Sequence, residues 1–388
     1  MSRLCQVIFS EWTVIRCLFP SILLALSFVF WTGCTSEETE ELGPDIVTLD
    51  EYRTFISHEE NLITVPNFIR FDNSSNLFVY DAANGSVLML NPAGEIVREF
   101  GRVGRGPGEI QWVSHIHLTE NYLYIVDTGQ FLIHRYLKDG EYDSVFNYGE
   151  IGYIPSVPSP PVTTSQIIVP TLTNQPHITA DDEVLLSPVQ AGASAESVYR
   201  LYDWSGEFKA DVGEIPEGSA FTLDNEEIRN DILNGEIPGF YRANVFPVSN
   251  PSNPDQLKLV YASLPRIAQY RMNGEKLWET DLSKIPEFEK MTDHFFQTME
   301  RMQRADIRSR IGLDYFNAGV MGPDGDLFLA SEHEMIQIYR FNGEGELTHT
   351  YRLDSDQEIE LKPIFDIDFS NREIYIVTEL GDLRAYPF

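Results

Sequence analysis

Gly101-Arg102-Val103-Gly104-Arg105-Gly106-Pro107-Gly108-Glu109-Ile110 is the glycine-rich run of the chain. Two readings compete for it, a phosphate cradle and a tight joint between structural units. A phosphate loop ends in Gly-Lys-Ser/Thr and opens a helix. Here Pro107 intervenes, and the strand-like Ile110-Gln111-Trp112-Val113 follows. Nucleotide binding is therefore set aside. The run reads as a joint in which glycines let backbone segments approach closely.

The same unit lies on both sides of the joint. Asn76-Leu77-Phe78-Val79-Tyr80-Asp81 leads to Val87-Leu88-Met89-Leu90-Asn91-Pro92-Ala93-Gly94. Tyr122-Leu123-Tyr124-Ile125-Val126-Asp127 leads to Ile133-His134-Arg135-Tyr136-Leu137-Lys138-Asp139-Gly140. Asp81 and Asp127 are 46 residues apart, as are Gly94 and Gly140. Four more copies begin near Glu183, Leu257, Gly325 and Glu373, which makes six. The turn pairs Asp/Asn-Gly and Ser-Gly supply the positive φ that hairpins require.

One such unit cannot bury its own apolar faces. A ring of units can, because each blade covers the next. The sequence therefore predicts an all-β, six-bladed β-propeller over residues 45–388. The sixth copy stops after its third strand, so the N-terminal strand, residues 46–56, is expected to close the last blade. Two inserts interrupt the repeat, at 216–240 and 284–311. In the second, Phe288, Met291, Phe295, Met299 and Met302 fall at helical spacing, with Arg301, Arg304, Arg308 and Arg310 toward its end. That helix either packs on the rim or acts as a lid or docking element.

With the repeats in place, Gly101–Ile110 resembles the Gly-x-Gly-Pro-Gly-Glu-Phe motif of the NHL-repeat-like, six-bladed β-propeller lipoproteins of Bacteroidetes-type bacteria. Ile110 stands where that motif has Phe. The resemblance covers about residues 45–388. It implies a fold and an address in the envelope, and no activity, because function belongs to sites rather than folds.

The N-terminus carries the address. Arg3 and Arg16 precede a short apolar run, residues 18–31, and Thr32-Gly33-Cys34 follows. This is a signal-peptide plan over residues 1–33, with too few apolar residues for a comfortable transmembrane helix. The junction resembles a lipoprotein box, with Trp31 a departure from it, so Cys34 is the expected lipidation site. Residues 34–44, rich in glutamate, read as a flexible acidic tether. The expected location is the bacterial envelope, anchored in the outer membrane on its periplasmic or cell-surface face. The other cysteines, Cys5 and Cys17, also lie in the leader. The body thus has no disulfide and no cysteine-bound metal.

Formal net charge is −32, from 28 basic and 60 acidic residues. Such a surface repels phosphate backbones, so nucleic acid is not an expected partner. Propeller ligands are sought at the channel mouth, near the start of each innermost strand. Those positions are read as Asn67, His115 or His117, His177, Asn244, Asn317, and Asp366 or Asp368. Arg102 and Arg105 offer a positive spot on the joint. No nucleophilic triad, His-Glu-x-x-His or calcium loop appears. Two functions follow. One is a binding module for a peptide, glycan or protein partner, with no cofactor. The other is a hydrolase or lyase with calcium or zinc in the channel.

Overall fold

The computed structural model describes residues 44–60, 62–152, 173–189, 195–222, 224–305, 313–332, 335–353 and 364–388. The leader, Cys34, the tether up to Gly43, Arg308 and Arg310 lie outside the described residues. Two strands come first, β1 (Asp45–Leu49) and β2 (Arg53–Ile56). Blade 1 is the antiparallel sheet of β3 (Pro66–Phe71), β4 (Leu77–Asp81), β5 (Ser86–Leu90) and β6 (Ile96–Phe100). Blade 2 follows as β7 (Val113–Leu118), β8 (Tyr122–Asp127), β9 (Leu132–Leu137) and β10 (Tyr142–Asn147). Blade 3 is β11 (His177–Ile178), β12 (Val184–Leu186), β13 (Ser197–Tyr202) and β14 (Phe208–Glu214).

Helices α1 (Asn225–Leu233) and α2 (Gly239–Arg242) precede blade 4. That blade is β15 (Val245–Ser249), β16 (Gln256–Tyr261), β17 (Arg266–Arg271) and β18 (Lys276–Asp281). Helix α3 (Pro286–Arg304) leads to blade 5, made of β19 (Ala318–Met321), β20 (Leu327–Glu332), β21 (Ile336–Phe341) and β22 (Leu347–Leu353). Blade 6 is β23 (Phe365–Asp368), β24 (Glu373–Val377) and β25 (Leu383–Pro387), with β2 as its outer strand.

The closing segment therefore differs in detail from the single strand expected over 46–56. Strand β2 pairs antiparallel with β25 and completes blade 6. Strand β1 pairs parallel with β22 and becomes a fifth strand of blade 5. The exposed residues Asp50, Glu51 and Tyr52 carry the chain from one blade edge to the next. Arg53 fixes the second pairing, donating to Glu373 at 2.6 and 2.9 Å and to the Tyr375 hydroxyl at 2.7 Å.

Each blade buries both faces, so its second strand is largely apolar rather than alternating. Alternate residues of β4 show why. Leu77 and Val79 pack in a cluster with Ile376's neighbours Tyr375 and Val377 of blade 6. Phe78 and Tyr80 pack in another with Ile116, Leu123 and Ile125 of blade 2. The remaining seams carry their own clusters, between blades 2 and 3, 3 and 4, 4 and 5, and 5 and 6. Buried strand faces of this kind stabilise by about 25 cal/mol for each Å² of apolar surface removed from water.

The inserts add to one seam. Phe288, Met291, Phe295 and Met299 of α3 are buried between blades 4 and 5, beside Ile228 and Ile232 of α1. The apolar face foreseen for the second insert is thus packed against the propeller. The N-terminus of α1 is capped by Asp224, whose carboxylate accepts from the Glu226 and Glu227 amides.

The joint between blades 1 and 2 is folded around one acid. The Glu109 carboxylate accepts from the Arg105 amide at 2.9 Å and the Gly106 amide at 2.7 Å, and from Arg102 Nε at 2.9 Å. These bonds hold its pKa below the ordinary value, the Gly106 amide contributing most. A β-carbon on Gly104 would strike that carboxylate. The loop is an anion cradle filled by its own chain. Ile110 is buried at its end in the seam between the two blades.

Candidate functional site

The innermost strands of the six blades surround the channel, and their register can be matched through the turns that follow them. Those turns are pinned by backbone donation from Asp72, Thr119, Thr179, Asn250 and Gly322. Two residues before each stand Arg70, His117, His177, Val248 and Val320. Their second-strand partners are Phe78, Tyr124, Leu185, Lys258 and Phe328. In blade 6 the equivalent residue is Asp366, opposite Tyr375. One level of the channel is therefore ringed by Asp366, Arg70, His117 and His177 from four consecutive blades, and by valines from the other two.

Cross-strand partners share a face of the sheet. Tyr375, Phe78, Tyr124 and Leu185 each pack toward the following blade. The ring residues beside them point the same way around, and the side chains of Asp366, His117 and His177 reach the next blade. The Asp366 carboxylate accepts the Phe71 amide of blade 1 at 2.6 Å. His117 lies between His115 and His177, with ring centroids 4.7 and 4.3 Å away and rings nearly perpendicular. His177 Nε2 is 2.7 Å from Ser249 Oγ at the end of β15.

His115 sits one turn of the pleat behind the ring. Its Nε2 is 2.6 Å from the Pro176 carbonyl, which only accepts, so the proton is on Nε2. Its Nδ1 is then free to accept from Ser114 Oγ at 2.8 Å. His117 Nε2 is buried and has no hydrogen-bond partner.

Burial sets the charge of this cluster. Desolvation, joined by His115 in the case of His177 and by the Arg70 charge in both, pushes His115 and His177 down to about 3. His117 is held well below its ordinary value by burial and by its two imidazole neighbours. All three are neutral imidazoles at neutral pH. Burial raises the Asp366 carboxyl to about 6, against the pull of Arg70. Arg70 itself donates Nη1 to the Ile69 carbonyl at 2.8 Å and forms no ion pair among the described residues.

Of the residues selected from sequence, the structure brings together His115, His117, His177 and Asp366. It adds Arg70 and Ser249, which sequence reasoning passed over. Asn67, Asn244 and Asn317 stand at the other ends of their strands. Asn244 precedes Ser249 by five residues, about 16 Å of strand, and donates to Ser263 Oγ at 3.3 Å. Asn67 occupies a bulge of β3 with a buried, unpartnered Oδ1. Asp368 caps a turn, accepting from Ser75 Oγ at 2.9 Å and the Ser370 amide at 3.0 Å. Arg102 is paired with Glu109 at 2.6 Å, and Arg105 gives its amide to the same carboxylate. Among the described residues, no group of three or more His, Cys, Asp or Glu side chains is arranged to hold a metal ion.

Comparison with known proteins adds to the architecture. Residues 47–148 match a family model described as a 6-bladed beta-propeller. No curated protein matches the chain. A protein assigned as exported, from Bacteroides fragilis, is similar in structure with a TM-score of 0.50 and 13% identity, over 88% of this chain and 98% of that one. A DUF4221 family member from Bacteroides vulgatus has a TM-score of 0.46 and 9% identity, over 88% and 95%. Virginiamycin B lyase from Staphylococcus aureus has a TM-score of 0.42 and 12% identity, over 87% and 88%. At such identities the likeness is one of fold. Six sheets, six seams and a matching family model over the first two blades make this chain a six-bladed β-propeller.

Proposed function

We propose that this chain is an extracytoplasmic binding module, lipid-anchored through Cys34, which takes a peptide, glycan or protein partner at the channel ring. One observation carries the reading. Four consecutive blades place Asp366, Arg70, His117 and His177 at one register level, where the other two blades place valines. A purely structural lining has no need of ionisable groups there, since burying them costs free energy unless something pairs with them. The signal-peptide plan and the exported Bacteroides relative support an extracytoplasmic setting.

The metal-dependent hydrolase or lyase draws no support from the arrangement of the described side chains. The binding reading is tested by a thermal-shift screen of peptides and oligosaccharides on the wild type and on His117→Ala/His177→Ala. Stabilisation confined to the wild type supports the ring as the site. Stabilisation of equal size in both proteins overturns it. The anchor is tested with a fatty-acid probe, whose label should vanish in Cys34→Ala.

A further inference from the structure

Arg70 is out of keeping with the chain around it. Acidic residues outnumber basic ones by 60 to 28. Many of its arginines and lysines pair with acids, as in Arg53 with Glu373, Arg135 with Asp143 and Arg340 with Asp326. Arg70, at the same level of the innermost strands, has no acid at ion-pair distance among the described residues, and it donates to the carbonyl of its own strand. A guanidinium has five N–H donors in a planar fork, so most of its capacity is uncommitted.

The neighbours are donors as well. His117 offers a buried Nε2 without a partner, one blade further round. Neutral imidazole can place its proton on that nitrogen. Asp366, whose carboxyl feels the Arg70 charge, accepts the Phe71 amide and makes no ion pair with Arg70.

We propose that the ring binds the carboxylate group of a small ligand, held by the Arg70 fork with His117 Nε2 as a second donor. This rests on the binding-module reading and names the ligand class for the same site. Three features select a carboxylate. Planar, bidentate geometry matches the fork. At neutral pH the Asp366 carboxylate already offsets part of the Arg70 charge, so a monoanion leaves less excess negative charge in the ring than a phosphate dianion does. The equivalent positions of blades 4 and 5 are Val248 and Val320, packed in the seams between blades, so no second fixed cation stands at this level to hold a dianion.

The experiment uses the purified propeller and a panel of benzoate, acetate, their amides and inorganic phosphate. Binding is read by calorimetry and by histidine ring NMR shifts. A carboxylate should bind saturably and move the His117 and His177 resonances, while its amide does neither. Arg70→Met should weaken that binding at least tenfold, with Arg70→Lys intermediate. If Arg70→Met fails to fold, His117→Phe replaces it, and a severalfold weakening is expected. Carboxylate affinity unchanged in these variants overturns the proposal. So does binding of phosphate or amides in preference to carboxylates, an outcome that leaves the binding-module reading standing. Loss of thermal-shift ligands in His117→Ala/His177→Ala without any carboxylate binding separates the two in the same way.

Discussion

Replacing Asp366 with Asn should make the propeller less sensitive to rising pH. The Asp366 side chain is 3% exposed, and burial raises its carboxyl from 3.8 to about 6. The folded state therefore prefers the protonated acid. Below pH 4 both folded and unfolded chains hold the proton, and nothing is lost. Between pH 4 and 6 the unfolded chain releases it first, so stability falls. Above pH 6 the loss is complete. Two pKa units correspond to about 3 kcal/mol, of which about 2 to 3 kcal/mol accrues between pH 4 and 8. Asparagine keeps an oxygen for the Phe71 amide and does not titrate. Urea unfolding of both proteins at pH 4 through 8 gives the difference directly, and other titrating groups cancel in it. The stability of Asp366→Asn relative to wild type should rise by that amount across the range. A difference that stays flat with pH would refute the claim that Asp366 is buried away from a compensating partner.

The histidines have the opposite sign: their folded pKa values are depressed, so stability is lost as pH falls below 6.5. Between pH 6.5 and 5 the loss should be about 2 kcal/mol for each of His115 and His177, and His115→Gln/His177→Gln should remove most of that slope in the same urea assay. Gly213→Ala should lower stability by about 2–4 kcal/mol in thermal unfolding, because Gly213 has φ +83 and a β-carbon would strike Leu259 and Val198. Arg53→Ala should cost less than about 1 kcal/mol, its side chain being half exposed, whereas deletion of residues 45–56 should prevent cooperative folding altogether. Glu109→Ala should empty the joint, and hydrogen exchange should quicken at the Arg105 and Gly106 amides while the blades keep their protection.

The repeat is legible because its second strand buries both faces and reads as a largely apolar run, and its third strand leads into a Gly turn. The innermost strands were harder. Their register against the second strand depends on the length of an intervening turn, and that length changes from blade to blade. Arg70 lies eight residues before Phe78, His117 seven before Tyr124, and Val248 ten before Lys258. A one-residue slip moves a side chain to the opposite face. Counting from the strand start selects Asn67, whereas the register level of His117 and His177 falls in blade 1 on Arg70, beyond the bulge in β3. His117, His177 and Asp366 are selected in the sequence by their place on innermost strands, and the structure sets all three at one register level. Ser249 closes β15 as one serine among many and carries no signal of its own. The joint's glycines mark it as a connection, whereas its two arginines look available in the sequence because nothing there shows Glu109 folding back into the loop.

The strands β1 and β2 have a consequence for the order of assembly. Asp45–Leu49 waits for the strand Leu347–Leu353, and Arg53–Ile56 waits for Leu383–Pro387. The earliest-made strands of the ring are thus completed by the last, across some 300 residues of chain. Loop-closure entropy must be met before those pairings return anything, which raises contact order and slows folding. Blades 1 to 4 pair only within themselves and can form as the chain emerges. Blades 5 and 6 present open edges until β1 and β2 arrive, so the interval before closure is when this protein is most exposed to strand-edge association.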